Sequence, residues 1–260
     1  MKILAIESTG TVASVAYTEE GLLRGEFTVN NGLTHSQTLL PLIDLLKEKA
    51  AVDLEALDAV AVAAGPGSFT GLRIGASTAK GIALALEKPI VPVSTLEALA
   101  WNAYGAAGLI CPMMDARRDQ VYTAVYRFTR REDADPAGVI RDAENAECLA
   151  PALRAEAVIA PAALAVEEIA AKLNEMKEPV LLLGDGAAAY KDILARLLQL
   201  PVDFAPAQMN RQRASSVAAL AAVLFAEGKA ISGADFSPEY LRLSQAEREL
   251  AQKQAEESAS

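Results

Sequence analysis

The chain has 260 residues, of which 52% are apolar and only 5% aromatic, and its formal net charge at pH 7 is −10. An acidic balance disfavours nonspecific binding to phosphate backbones, so any nucleic acid that this protein serves is expected to be held by a partner. The chain has two cysteines that lie far apart, which predicts a cytoplasmic protein with neither a disulfide framework nor a cysteine-rich zinc site. No apolar run is long enough to span a bilayer, so we expect no membrane contact.

The first hundred residues alternate between strand-like and helix-like patterns. Three short apolar runs separated by tight turns predict an antiparallel meander, and apolar residues then recur at helical spacing behind a cap at Thr34 or Ser36. The predicted strands cover residues 2–7, 12–17, 22–29, 59–64 and 90–93, and the predicted helices cover residues 36–49, 70–87 and 94–104. Because few aromatic side chains are available, alanine and branched aliphatic residues are expected to pack helices closely on a sheet, which predicts an α/β fold.

The rest of the chain predicts a second unit of strands and helices. The predicted strands cover residues 109–114, 120–127 and 180–183, a loop or hairpin covers 130–147, and the predicted helices lie within 151–177, from Gly186 to about residue 198, and over 215–227. We therefore expect one lobe from residues 1–104, completed by the helix at 215–227, and a second lobe from residues 105–214. Residues 244–260 are polar and charged, and we expect this tail to be disordered.

Two turns are candidates for a position near a nucleotide. The turn after the first strand is rich in backbone N–H and hydroxyl donors that can cradle a phosphate, although an ordinary hairpin turn has the same composition. A second turn follows a buried strand and precedes a helix, where α/β folds place a nucleotide or an interlobe hinge, and a plain turn is equally consistent with it. The nucleotide-proximal candidates are Glu7, Ser8, Thr9, Gly184, Asp185 and Gly186.

A glycine-rich block, GPGSFTGLRIG at residues 65–75, opens the helix at 70–87. Within that helix the small residues Gly71, Gly75, Ala79 and Ala83 recur every fourth position, so they share one face. Glycine costs a soluble helix about 1 kcal/mol relative to alanine, which indicates that something packs closely against this face. The neighbour is either another element of the same chain or a partner protein.

His35 is the only histidine in the chain. Metal sites in catalysis usually draw on several His, Cys or carboxylate ligands, and one histidine excludes HExxH and HxxxH pairs. No GxSxG nucleophile elbow is present either. We predict no metal site and no catalytic residue, and a metallopeptidase is disfavoured.

With these residues in view, the chain closely resembles the bacterial TsaB family, also called YeaZ. The resemblance extends to about residue 243, and its most specific part is the glycine block. It rests on residues 3–9, His35-Ser36, residues 65–75, residues 92–99 and residues 238–242.

The resemblance implies an actin/Hsp70-like (ASKHA) two-lobe fold, with a mixed sheet flanked by helices in each lobe. It implies a non-catalytic subunit that binds and activates its paralogue TsaD and helps to recruit the ATPase TsaE. That complex transfers a threonylcarbamoyl group to N6 of an adenosine in tRNA (t6A), and the histidine pair with which TsaD binds metal has no counterpart here. The chain would have no cofactor of its own, with ATP or ADP at the complex interface, and would meet tRNA only through the complex.

The family's partner surface involves the two helices of the first lobe, through which homodimers also form. The carried-over candidates are Leu39, Leu42, Ile43 and Leu46 on the first helix and Gly71, Gly75, Ala79 and Ala83 on the second, with Arg73 and Lys80 as a polar rim. Since one face of each helix must pack on its own sheet, some of these residues are expected to be core. The alternative function is a stand-alone ASKHA-type phosphotransferase acting on a small molecule.

Overall fold

A computed structural model of the chain describes residues 1–131 and 151–242, and the predicted tail at 244–260 lies outside this range. The first sheet has the strand order β3-β2-β1-β4-β5, with β1 Lys2–Glu7, β2 Ala13–Glu19, β3 Leu22–Val29, β4 Ala59–Gly65 and β5 Ile90–Ser94. The second has the order β10-β9-β6-β7-β8, with β6 Leu109–Arg117, β7 Gln120–Arg130, β8 Leu153–Ala165, β9 Val180–Leu183 and β10 Val202–Phe204. The helices are α1 His35–Lys49, α2 Phe69–Ala85, α3 Thr95–Trp101, α4 Val166–Met176, α5 Asp185–Ala189, α6 Lys191–Leu197 and α7 Ala214–Ala226.

Both sheets are mixed and flanked by helices, which confirms the predicted two-lobe α/β fold. The first sheet is covered on both faces because side chains alternate along each strand. Leu4 and Ile6 pack against α1 and α2, while Ile3 and Ala5 pack against α7 on the opposite face. A strand buried on both faces reads as a continuous apolar run, as β1 and β4 do.

The helices predicted within residues 151–177 are confirmed only in the second half of this range, where α4 lies, and the first half forms a strand. Residues 153–165 form β8, which pairs antiparallel with β7 from Gln120↔Ala165 to Arg130↔Leu153. Alanine favours a helix locally, but the long strand β7 offers a partner, and pairing with it overrides the local preference. Pro161 would also disrupt a helix interior, whereas the edge strand of a sheet tolerates it.

Smaller differences concern the same lobe. The helix predicted after Gly186 is interrupted at Tyr190, so that α5 and α6 form in its place. The short strand β10 has no signal in the sequence and pairs in parallel with β9. Most of the loop predicted at 130–147 lies outside the described residues.

The helix α3 joins the two lobes. Leu96 and Leu99 cluster with Ile110 of the second sheet, while Ala98 and Trp101 cluster with the first lobe. None of the helices within residues 1–131 and 151–242 is long and apolar enough to cross a membrane.

Candidate functional site

The small-residue face of α2 lies on the turn between β1 and β2. A Cβ atom added at Gly71 would lie 2.1 Å from the Ser8 carbonyl oxygen, and one added at Gly75 would lie 2.3 Å from Ser8 Oγ. Farther along the helix, Ala79 is 0% exposed and Ala83 is 1% exposed. The neighbour that requires small residues is therefore the protein's own first sheet and its turn.

The apolar face of α1 is buried in the same core. Leu39, Ile43 and Leu46 belong to the cluster formed with β1 and β4, and Leu42 packs at its edge. This corrects the predicted partner surface: an amphipathic helix packs its apolar stripe on its own sheet, so the stripe is not free for another protein. The predicted contact residues that are core are Leu39, Ile43, Leu46, Gly71, Gly75, Ala79 and Ala83.

The outward faces of α1 and α2 enclose a groove of about 500 Å³, which we name the α1–α2 groove. Leu40 at its wall is 55% exposed and Phe69 is 37% exposed. Arg73 is exposed, whereas Lys80 is half-buried and lies outside the groove lining. The groove is lined by His35, Ser36, Leu39, Leu40, Phe69, Thr70, Arg73, Ile74, Ser77 and Thr78.

A cation–aromatic cluster stands at the end of the groove where α2 begins. The Arg73 guanidinium carbon lies 3.9 Å from the centroid of the Phe69 ring, and the rings of Phe69 and Tyr240 are 5.1 Å apart. Tyr240 is brought here because the Glu239 backbone N–H donates to the Ala64 carbonyl oxygen at 2.7 Å. Arg, Tyr and Phe are enriched at the centres of protein interfaces, so this cluster is suited to binding another protein.

The turn between β1 and β2 uses its donors internally. Glu7 is 1% exposed, and one of its carboxylate oxygens accepts hydrogen bonds from both N–H and Oγ1 of Thr9 at 2.6 Å. Ser8 Oγ donates to the Gly71 carbonyl oxygen at 2.9 Å. Burial raises the pKa of Glu7 to about 7, although the bonds from Thr9 oppose the shift. A cradle for phosphate would have to compete with a buried carboxyl group for these donors.

Glu7→Gln is expected to stabilise the chain more as the pH rises. The folded-state pKa of about 7 exceeds the ordinary value of 4.5, so the folded state binds the proton more tightly than the unfolded state does. The wild type therefore loses stability as the pH rises from 4.5 to about 7. Glutamine cannot ionise and retains an oxygen for Thr9. The difference in free energy of unfolding between variant and wild type should grow by on the order of 2 kcal/mol from pH 5 to pH 8, as measured by urea unfolding.

The matched control is Glu48→Gln, at a solvent-exposed position of α1. Its effect on the free energy of unfolding should be the same at both pH values. If the effect of Glu7→Gln on the free energy of unfolding were also constant with pH, the buried Glu7 carboxyl group would not have the raised pKa that the prediction requires.

The second predicted turn lies in the other lobe. Gly184 has a φ of +106° and donates its backbone N–H to Asn210 Oδ1 at 2.6 Å. A Cβ there would lie 2.0 Å from the Met113 carbonyl oxygen, so the strand β6 requires glycine at this position. Burial raises the pKa of Asp185, and its Oδ1 atom has no hydrogen-bond partner among the described residues.

His35 connects α1 to the first turn. Its Nε2 atom lies 2.9 Å from the Gly10 carbonyl oxygen, and since a carbonyl only accepts, Nε2 carries the hydrogen. Within residues 1–131 and 151–242, no group of three or more His, Cys, Asp or Glu side chains is placed to hold a metal ion. The hydrogen bond from His35 ties the start of α1, and with it one end of the groove, to the first turn.

Comparison with known proteins places this geometry in a family. A family model described as TsaD, tRNA N6-adenosine threonylcarbamoyltransferase, matches residues 32–250. The tRNA threonylcarbamoyladenosine biosynthesis protein TsaB of Bacillus subtilis is 31% identical over 98% of this chain and 100% of its own length. The chain belongs to the TsaB family.

Further relatives agree with this assignment. TsaB of Escherichia coli is 29% identical over 98% of this chain and 100% of its own length. The solved structure of YeaZ from Pseudomonas aeruginosa has a TM-score of 0.71 at 28% identity and covers 92% of this chain and 99% of that one. The match to the TsaD model confirms the predicted relationship between the TsaB and TsaD families.

Proposed function

We propose that this chain is a non-catalytic subunit in tRNA threonylcarbamoyladenosine synthesis, which binds and activates a TsaD-like catalytic subunit through the α1–α2 groove. The observation that carries the proposal is the exposed cluster of Phe69, Arg73 and Tyr240 beside the apolar wall at Leu40. The inner faces of these two helices pack on their own sheet, while their outer faces still expose large apolar and cationic side chains. Outer faces of this kind are suited to docking a partner.

The relationship to TsaD supports the choice of partner. Two related chains can bring equivalent helix pairs together about a pseudo-two-fold axis, as the subunits of a symmetric dimer do. A second copy of this chain would use the same groove, so a homodimer and the TsaD complex would compete. A TsaE-like ATPase would join the assembled pair, tRNA would be held only through the complex, and ATP or ADP would bind at the complex interface.

Catalysis by this chain alone is not part of the proposal. Its single histidine is used to hold the Gly10 carbonyl oxygen, and the donors at the first turn are used by Glu7. A stand-alone phosphotransferase would need groups that bind phosphate, and the turn places a buried carboxyl there.

Reconstitution tests the proposal directly. Formation of modified adenosine in tRNA is measured from threonylcarbamoyl-adenylate with the TsaD-like and TsaE-like proteins of the same organism, with and without this chain. We expect modification to depend on the chain, and the chain alone to hydrolyse no ATP. Equal modification without the chain would refute the proposal, and ATP turnover by the chain alone would support the phosphotransferase.

A further inference from the structure

The tight turn between β6 and β7 carries two arginines, and we name residues 115–119 the β6–β7 tip. Arg117 at the end of β6 pairs with Gln120 at the start of β7, so Arg118 and Asp119 form a two-residue loop. Both loop residues have positive φ values, +57° and +56°. Positive φ at both positions is typical of a type I′ turn, which favours asparagine and glycine and strains an arginine. The chain therefore carries an arginine side chain where the backbone alone would favour a different residue.

The β6–β7 tip is held in place by three other parts of the chain. Tyr190 OH, between α5 and α6, donates to Asp115 Oδ1 at 3.2 Å. Arg242 Nη1 donates to the Ala116 carbonyl oxygen at 2.8 Å. The Asp119 carbonyl oxygen accepts the backbone N–H of the first residue of α4 at 3.0 Å. A loop fixed at three points presents its solvent-exposed side chains from a defined place on the surface.

The solvent-exposed charge of the β6–β7 tip is mainly positive. Arg117 pairs with Asp115 at 3.0 Å, and the Arg117 side chain is 85% exposed whereas that of Asp115 is 17% exposed. Arg118 is exposed and makes no ion pair within residues 1–131 and 151–242. With Arg242, three guanidinium groups accompany two carboxylates, those of Asp115 and Asp119, and the first of these is mostly buried. This surface is cationic in a chain whose formal net charge is −10.

The β6–β7 tip lies beside the groove that we propose for the partner. The segment that brings Tyr240 against Phe69 continues for two residues to Arg242, which contacts the tip at Ala116. A partner that covers the α1–α2 groove would therefore reach the neighbourhood of the tip. Because the rim of a protein interface stays accessible to solvent, Arg118 would remain available to a third, anionic component of the complex.

We propose that the β6–β7 tip binds the phosphate backbone of the RNA substrate when the chain is paired with its catalytic partner, and that Arg118 makes the contact. This inference rests on the proposed function, which supplies the partner and the RNA. A guanidinium group suits phosphate because its N–H donors bind two oxygens at once. Contacts to phosphate position a nucleic acid without reading its sequence. Since the acidic chain alone repels RNA, the contact forms only where the partner holds the RNA.

Binding of tRNA to the complex of this chain with the TsaD-like subunit tests the proposal, with fluorescence anisotropy measured over a range of salt concentrations. Arg118→Asn removes the cation and suits a positive φ, so the variant should unfold at the same temperature as the wild type or a higher one. It should weaken tRNA binding about fivefold and reduce the slope of log affinity against log salt concentration by about 1. Arg118→Lys should retain the slope because it retains the charge.

Lys177→Asn is the matched control. Lys177 is also an exposed cation with a positive φ, +55°, and it follows the end of α4 that is farther from the β6–β7 tip. The length of α4, about 16 Å, separates it from the residue that contacts the tip. The control should leave both the affinity for tRNA and its salt dependence unchanged.

Calorimetric titration of the wild type and each variant with the TsaD-like subunit distinguishes this inference from the proposed function. If the wild type does not bind that subunit, the proposed function fails and the inference fails with it. If pairing is intact but Arg118→Asn leaves tRNA affinity and salt slope unchanged, or Lys177→Asn lowers them equally, only the inference is overturned. Weaker binding of Arg118→Asn to the TsaD-like subunit itself would also overturn it, because the tip would then belong to the protein interface.

Discussion

Gly71→Ala is expected to destabilise the folded chain by about 3 kcal/mol, one of the largest effects of any single methyl group in this protein. The added Cβ would lie 2.1 Å from the Ser8 carbonyl oxygen, which is a backbone atom and cannot rotate away. Relief requires α2 to move off the first sheet, which would open the core that it shares with α1. Urea or thermal unfolding measures the loss.

Gly81→Ala on the same helix is the matched control. Apart from the neighbouring backbone of α2 itself, no described atom lies within 4 Å of a Cβ at this exposed position, so the change should stabilise the chain by up to about 1 kcal/mol through helix propensity. Equal stability of Gly71→Ala and the wild type would show that the small-residue face is open and could meet a partner.

The first lobe could be predicted closely because its signals are local. Short apolar runs, tight turns and the break at Pro89 place the bounds of the strands β1 to β5 within a few residues. The second lobe depends on a pairing between β7 and β8, which are separated along the chain by residues 131–152, and β8 has an alanine-rich sequence. Local propensity favours a helix there, and only the partner strand decides otherwise.

The proposed partner surface depends on information that the sequence alone does not carry. Helical periodicity shows that Gly71, Gly75 and Ala79 share a face, but it does not show what covers that face. Leu40 has no signal in the sequence because it lies off the apolar stripe of α1, and Ile74 lines the groove although it also packs partly against the core. Tyr240 belongs to a segment that the family resemblance singled out, yet nothing in the sequence placed it against α2.

Leu40→Asp is expected to weaken binding to the TsaD-like subunit by at least about 30-fold, or ~2 kcal/mol, while leaving the chain folded. Leu40 is 55% exposed, so the free chain can solvate the carboxylate. In a complex that covers the α1–α2 groove, the same carboxylate would be desolvated against apolar surface. Calorimetric titration with the TsaD-like subunit of the same organism measures the loss, and thermal unfolding checks that the variant is folded.

Leu23→Asp makes the same chemical change at a leucine that is 49% exposed on the edge strand β3, away from the groove. It should leave the affinity unchanged, because Leu23 does not line the groove, whereas any general effect of added negative charge would appear in both variants. If a second copy uses the groove as proposed, Leu40→Asp should also weaken self-association in sedimentation experiments. Equal losses of affinity in the two variants would place the partner surface elsewhere, whereas loss in Leu40→Asp alone would assign it to the outward faces of α1 and α2.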